Sequence, residues 1–177
     1  MDISKNTLWR AGLIRLVIFD VDGVLTDGRL FFGDDGQEYK SFYSRDGHGM
    51  RMLLDSGVDI AIITGRTSQV VAHRMKNLGV EHVYQGKRDK LPAYKEVLEK
   101  LGFSDNQVAY VGDDVMDVPV MRQVGLAIAV QDAEPLVKQY AHWHTKRLGG
   151  QGAGRDVCEL IMQAQGQLES ALARYCQ

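Results

Sequence analysis

The chain has 177 residues, 45% of them hydrophobic and 25% charged, with a formal charge of −2. This predicts one soluble globular domain over residues 1–177, with enough chain to bury a real core. The small negative charge and the lack of a basic stripe argue against a nucleic-acid binder, and the polar, mixed stretch from Met1 to Gly12 reads as neither a signal peptide nor a membrane span. The two cysteines, Cys158 and Cys176, have no metal-ligand spacing. They read as structural thiols of a reducing cytoplasm, so the expected location is cytoplasmic.

Residues 1–12 read as a short arm or helix. The first strand is Leu16–Asp20, a run of large apolar residues that ends in Asp20 and Asp22. Side chains of a strand alternate, so these two acids leave its end on one side. A β-hairpin flap follows over residues 28–43, with Leu30-Phe31-Phe32 and Glu38-Tyr39-Lys40-Ser41-Phe42-Tyr43 flanking a Gly/Asp turn. Asp46 can cap a helix to about Ser56, ended by Gly57. Val58–Thr64 is a buried strand, Thr67 to Leu78 a helix, and Val80–Tyr84 a short strand. Lys90 to Leu101 is a helix, Val108–Val111 a strand, and a helix runs from about Val115 to Val124. Leu126–Val130 is a strand, Glu134–Tyr140 a helix, and Ala141–Thr145 a last strand. A Gly-rich tail segment at 148–155 precedes an amphipathic C-terminal helix at 155–174. Composition alone makes that Gly-rich segment a flexible linker. Pinned at both ends, it could instead approach a ligand closely through its backbone.

Strands alternating with helices predict an α/β fold: a doubly wound, Rossmann-like parallel sheet with helices on both faces. Such sheets bind ligands at the carboxyl ends of their strands. The polar residues respect that rule. Asp20 and Asp22 end the first strand, and Thr64-Gly65-Arg66 the second. Lys90 follows the third, and Gly112-Asp113-Asp114 ends the fourth, with Asp117 a turn later. Several carboxylates without His or Cys suit a hard cation, and Mg²⁺ fits best. Thr64 and Lys90 suit phosphate oxygens. One carboxylate could attack phosphorus while the other moves protons.

The four-part pattern Asp20-Val21-Asp22-Gly23-Val24, Thr64, Lys90 and Gly112-Asp113-Asp114-Val115-Met116-Asp117 resembles the haloacid dehalogenase superfamily of phosphotransferases. The resemblance implies Asp20 as nucleophile and Asp22 as general acid/base. It implies a Mg²⁺ site from Asp20, the Asp22 backbone carbonyl and Asp113, with Asp114 and Asp117 in support. Thr64 and Lys90 would bind the transferring phosphoryl group.

Between these motifs there is no room for the cap domain that many members carry. The site should be open in a monomer, so either the substrate is large or a neighbouring subunit supplies the lid. An aromatic hairpin that cannot bury its own Phe and Tyr residues suits oligomerisation. Arg45-Asp46-Gly47-His48-Gly49, Tyr84-Gln85-Gly86 and Gly149-Gly150-Gln151-Gly152-Ala153, added to the four motifs, resemble the capless 3-deoxy-D-manno-octulosonate 8-phosphate phosphatases. His48 stands where many members have Tyr. That resemblance implies hydrolysis of a sugar acid phosphate on the route to lipopolysaccharide. It also implies a homotetramer joined by its hairpins and C-terminal tails. The implied substrate contacts are Tyr43, Ser44, Arg45, Asp46, Gly47, Arg51, Gly65, Arg66 and Arg74 beside Lys90, with Arg155 at the end of the Gly-rich tail. Arginines suit a substrate bearing both carboxylate and phosphate. Three other readings stay open: a phosphatase for a related nine-carbon sugar acid phosphate, a phospho-acceptor module, and a catalytically silent assembly domain.

Overall fold

The structure is a computed structural model that describes residues 3–175. Cys176 lies outside the described residues. Eight α-helices and eight strands lie among the described residues. After α1 (Lys5–Gly12), β1 (Leu16–Phe19) leads to a two-stranded antiparallel hairpin of β2 (Phe31–Phe32) and β3 (Glu38–Tyr39). Then come α2 (Ser44–Asp55), β4 (Asp59–Ile63), α3 (Gln69–Leu78), β5 (His82–Tyr84) and α4 (Lys90–Leu101). The remainder is β6 (Val108–Gly112), α5 (Val118–Met121), β7 (Leu126–Ala129), α6 (Pro135–Tyr140), β8 (Trp143–His144), α7 (Ala153–Ala164) and α8 (Leu168–Ala173). The six-stranded sheet is parallel throughout, in the order β5-β4-β1-β6-β7-β8. This is the doubly wound arrangement expected from the alternation of strands and helices.

The placement of β1 explains its composition. It lies between β4 and β6, and all four of its residues are buried. A central strand covered on both faces tolerates no polar side chain along its length. Its register pairs Phe19 with Ile62 on one side and Val111 on the other. Carrying that register onward brings Asp20, Thr64 and Asp113 to the same carboxyl edge.

Several expected elements differ. The helix expected from Val115 to Val124 opens as a 3-10 turn, Val115–Asp117, and is α-helical only over α5. Asp117 is the cause, because both its oxygens are engaged by backbone amides and side chains rather than facing solvent. The C-terminal helix expected over 155–174 is two helices. The chain turns between them at Gly166, whose neighbour Gln167 donates its amide to the Met162 carbonyl at 2.8 Å. Helix α2 starts at Ser44, so Asp46 sits in its first turn instead of capping it.

The Gly-rich segment is not a free linker. Gly150 donates its amide to the Val24 carbonyl at 2.9 Å, and Gly149 donates to the Asp132 carboxylate at 2.9 Å. A Cβ on Gly149 would lie 1.7 Å from the Gly23 carbonyl oxygen, and one on Gly150 would lie 2.4 Å from backbone atoms of Thr26 and Asp27. The segment is thus a backbone strap pressed on the loop that leaves β1. Gly149→Ala forces that loop to move and should lower unfolding free energy by about 2 kcal/mol or more, on the scale of overpacking costs. Denaturant titration checks this, and an unchanged midpoint would show that the strap is not pressed on the loop.

Candidate active site

The site begins where β1 runs out of apolar residues. Asp20 is 7% exposed at the strand end, and its Oδ1 accepts the Val21 amide at 2.6 Å. Its Oδ2 lies 2.6 Å from the Lys90 Nζ, and that ammonium donates to Asp117 Oδ1 at the same distance. Lys90 opens α4, where Asp89 caps the helix by accepting the Leu91 amide. The lysine therefore projects from a fixed helix start into the strand ends. It is 1% exposed. Burial alone would lower its pKa, but the carboxylates of Asp20 and Asp117 outweigh that and hold it above the ordinary lysine value.

Asp117 organises the opposite wall. It is fully buried and takes four donors: Lys90 Nζ, the Tyr110 hydroxyl at 2.6 Å, and the amides of Asp113 and Asp114 at 2.9 and 3.1 Å. Its oxygens are thereby satisfied. Asp113 differs, because its Oδ1 is buried without a hydrogen-bond partner. Burial, followed by the charges of Asp117 and Asp20, pushes the Asp113 carboxyl up to about 8. Burial likewise raises Asp20 to about 6, against the opposing pull of Lys90. Oxygens of Asp20, Asp113 and Asp117 lie within 4.8 Å of one another. Three acids facing one ammonium, with a buried oxygen left unpaired, fit a hard divalent cation. Asp20 and Asp113 are the ligands left available, since Asp117 is already spent.

Approach to the cluster is equally constrained. Gly23 follows Asp22 with φ 87°, and a Cβ there would lie 2.0 Å from Asp113 Oδ2. Only glycine lets the loop pass so near the acid. A cavity of about 150 Å³ opens over the strand ends, lined by Asp20, Asp22, Thr64, Arg66, Asp113 and Asp114, with Gly65 among the walls. Two larger clefts, beside Arg174 and beside Gln165, contain no such cluster. Thr64 is buried, its amide donating to the Tyr84 carbonyl. The Asp22 side chain stands apart from the three clustered carboxylates and pairs with Lys40 from the hairpin.

The residues expected to touch substrate divide. Arg66 is at the cavity, 3.3 Å from Glu38 of the hairpin. Tyr43, Asp46, Gly47 and Arg74 instead surround a separate narrow crevice, where Arg74 lies over the Phe42 ring and against Gly47. Ser44 starts α2, and the Arg45 guanidinium lies over the Tyr43 ring. Arg51 donates to the Leu78 carbonyl, closing the end of α3. Arg155 pairs with Glu159 on its own helix at 2.6 Å. Neither Arg51 nor Arg155 reaches the catalytic cavity within one chain. His48 packs edge-on against Tyr175. Cys158 is buried and unpaired, and burial pushes its thiol up.

Tyr110, Lys40 and Glu38 are site residues that the motif pattern missed. Tyr110 had a readable sign, because a tyrosine inside a fully buried strand needs a partner for its hydroxyl. Nothing in the local sequence of the hairpin distinguishes Lys40 from a solvated lysine.

Comparison with known proteins follows from this geometry. The haloacid dehalogenase-like hydrolase family model matches residues 80–148. A 3-deoxy-D-manno-octulosonate 8-phosphate phosphatase of Yersinia pestis is 50% identical over 169 residues, covering 96% of this chain and 90% of that protein. The chain belongs to the 3-deoxy-D-manno-octulosonate 8-phosphate phosphatase family. Solved structures of the family match closely. The Moraxella catarrhalis phosphatase, in complex with magnesium, phosphate and KDO, has a TM-score of 0.96 at 39% identity, covering 98% of this chain and 99% of its own. A cobalt-bound phosphatase of the family from Haemophilus influenzae has a TM-score of 0.88 at 38% identity, covering 90% and 94%.

Within this family member, Asp46 serves the scaffold. It is 2% exposed, and its Oδ1 accepts the Arg155 amide at 2.8 Å, closing the start of α7 from outside that helix. Its Oδ2 is buried without a partner. Burial raises its carboxyl to about 6, opposed by the amides of Arg155 and Gly152. The folded state thus holds this proton more tightly than the unfolded chain. Its stability contribution is complete below the unfolded carboxylate range and is lost as pH rises through about 6. Asp46→Asn removes that loss. Relative to wild type, the variant should gain about 2 kcal/mol between roughly pH 4.5 and pH 7. Denaturant titrations at both pH values test it, and parallel stability in the two proteins would refute the linkage.

Proposed function

We propose that this protein hydrolyses 3-deoxy-D-manno-octulosonate 8-phosphate to the free sugar acid and phosphate, a step in lipopolysaccharide precursor synthesis. The observation that carries the reading is the joint placement of Asp20, Asp22, Thr64 and Asp113 around one cavity, with Lys90 bonded to Asp20 behind it. The half-identical relatives of that activity, spanning nearly the whole chain, support the choice of substrate.

Asp20 attacks phosphorus, and a P–O bond to its carboxylate forms as the bond to the sugar oxygen breaks. Asp22 gives that leaving oxygen its proton. Asp22 then takes a proton from the water that attacks the aspartyl phosphate, which returns Asp20 and releases phosphate. Lys90 and Thr64 hold the transferring phosphoryl oxygens, the first by charge and the second by its hydroxyl and neighbouring amides. Asp20, the Asp22 backbone carbonyl and Asp113 would hold Mg²⁺, with Asp114 and Asp117 supporting them. Held there, the cation would supply positive charge against that developing on the phosphoryl oxygens. Asp117 keeps Lys90 ionised and aimed at Asp20.

The protein acts in the cytoplasm as a homotetramer. Among the described residues no helix is long and apolar enough to cross a membrane. Phe31, Phe32 and Tyr39 on the hairpin are 49%, 58% and 54% exposed, an apolar surface that a neighbouring subunit would cover. Tyr43, Ser44, Arg45, Gly47, Arg51, Arg74 and Arg155 contact substrate only in that assembly, in which a neighbour's tail reaches the site and the hairpin stands in for a cap, while Asp46 holds the start of α7 beneath them.

Phosphate release from this substrate should require Mg²⁺ and fall roughly a thousandfold or more in Asp20→Asn. Activity persisting in that variant removes the nucleophile. Equal kcat/KM for the eight-carbon and nine-carbon sugar acid phosphates would defeat the narrower substrate assignment. Light scattering should return four times the chain mass; a fully active monomer would end the claim that a neighbour completes the site.

A further inference from the structure

Lys40 is a buried cation on an otherwise exposed flap. Its side chain is 1% exposed, while Phe31, Phe32 and Tyr39 around it are about half open to solvent. Its Nζ donates to Asp22 Oδ1 and lies 3.3 Å from Glu38 Oε1. Glu38 in turn lies 3.3 Å from Arg66, in the loop after β4 that lines the catalytic cavity. A line of alternating charge, Asp22–Lys40–Glu38–Arg66, thus runs from the end of β1 through the base of the hairpin to the end of β4. An ammonium removed from water is costly unless its partners are fixed. Here the partners are an acid of the cavity and a glutamate two residues earlier on the hairpin.

We infer that Lys40 is a positioning residue for Asp22, holding one carboxylate oxygen so that the other faces the phosphoryl site. This rests on the proposed function, in which Asp22 moves the protons. Asp22 follows β1 by three residues and has left the sheet's hydrogen-bond ladder. Its side chain does not share the carboxylate cluster. Lys40 is held by Glu38 as well as by Asp22, so it cannot follow a rotation of Asp22 without straining its second contact. The hairpin therefore does more than cover the site. Docking it and aligning the acid are one event.

A lysine that merely anchored the hairpin would affect all substrates alike. A lysine that aligns the acid matters most where the leaving group needs a proton. The test compares kcat/KM, which stops at phosphoryl transfer, for a sugar alkyl phosphate and for p-nitrophenyl phosphate, whose leaving group departs without protonation. Lys40→Met should lower the alkyl value about 10- to 100-fold and the aryl value less than about threefold, within the range of general acid effects. Asp22→Asn should show the same selectivity, and adding Lys40→Met to it should cost little more. An equal fall on both esters, no fall on either, or full additivity with Asp22→Asn overturns the inference. Should the Met variant fail to fold, Lys40→Gln enters the same comparison and is judged by the same selectivity. Asp22→Asn sparing the alkyl ester would overturn the acid role and this inference together, whereas a selective Asp22→Asn beside an unselective Lys40→Met overturns the inference alone.

Discussion

One lysine ammonium, closed off from water between two carboxylates, ties together parts of the chain that would otherwise repel. Lys90 joins Asp20 at the end of β1 to Asp117 beyond β6. Asp113 adds a third acid to the same space. With all three ionised, one ammonium leaves two negative charges uncompensated. Removing one partner of such a buried pair costs about 3–5 kcal/mol, because the other charge is stranded. The fold answers with hydrogen bonds to Asp117 from Tyr110 and two backbone amides. It does not answer for Asp113, whose raised carboxyl and unpaired oxygen record the deficit. A divalent cation would supply the two positive charges that the ionised cluster lacks.

Such a cluster functions only if the loop beside it stays fixed. The loop from Gly23 to Asp27 is held from two sides. Asp113 approaches Gly23 so closely that no side chain fits, and Gly149 and Gly150 press on it from the other side. The strap is in turn seated by Asp132 and continues into α7, whose start is closed by Asp46 from α2. Residues more than a hundred positions apart therefore share one mechanical task. The cost is an unpaired buried oxygen on Asp46, which the folded chain carries as a raised pKa.

Legibility in the sequence tracked how local the cause was. The sheet could be read because its inner strands β1, β4, β6 and β7 are largely apolar runs bounded by turn residues. The catalytic edge could be read because Asp20, Thr64, Lys90 and Asp113 each follow a strand, and parallel topology alone sends strand ends to one side. Where the cause was a distant partner, reading failed. Nothing around Gly149 in the sequence announces Gly23 as its neighbour, so a packed strap looked like a linker. Asp46 looked like a cap for its own helix, yet it caps α7. The 3-10 turn at Val115 depends on Asp117 turning inward to Lys90 and Tyr110, and both partners come from other segments.

The arginines show the same limit from the other direction. A guanidinium in a sequence offers five donors without saying where they are used. Arg51 donates to the Leu78 carbonyl at the end of α3, and Arg155 to Glu159 one turn along its own helix. Arg66 keeps 43% of its side chain in solvent at the edge of the cavity, held by Glu38 and lying over the Phe32 ring. A surface pair of that kind contributes little to stability and exchanges readily for another anion. An anion at the rim can therefore take Arg66 from Glu38 at small cost, while the buried Lys40 remains with Asp22 and Glu38. The charges at the rim are free to recognise, and those beneath the hairpin are not.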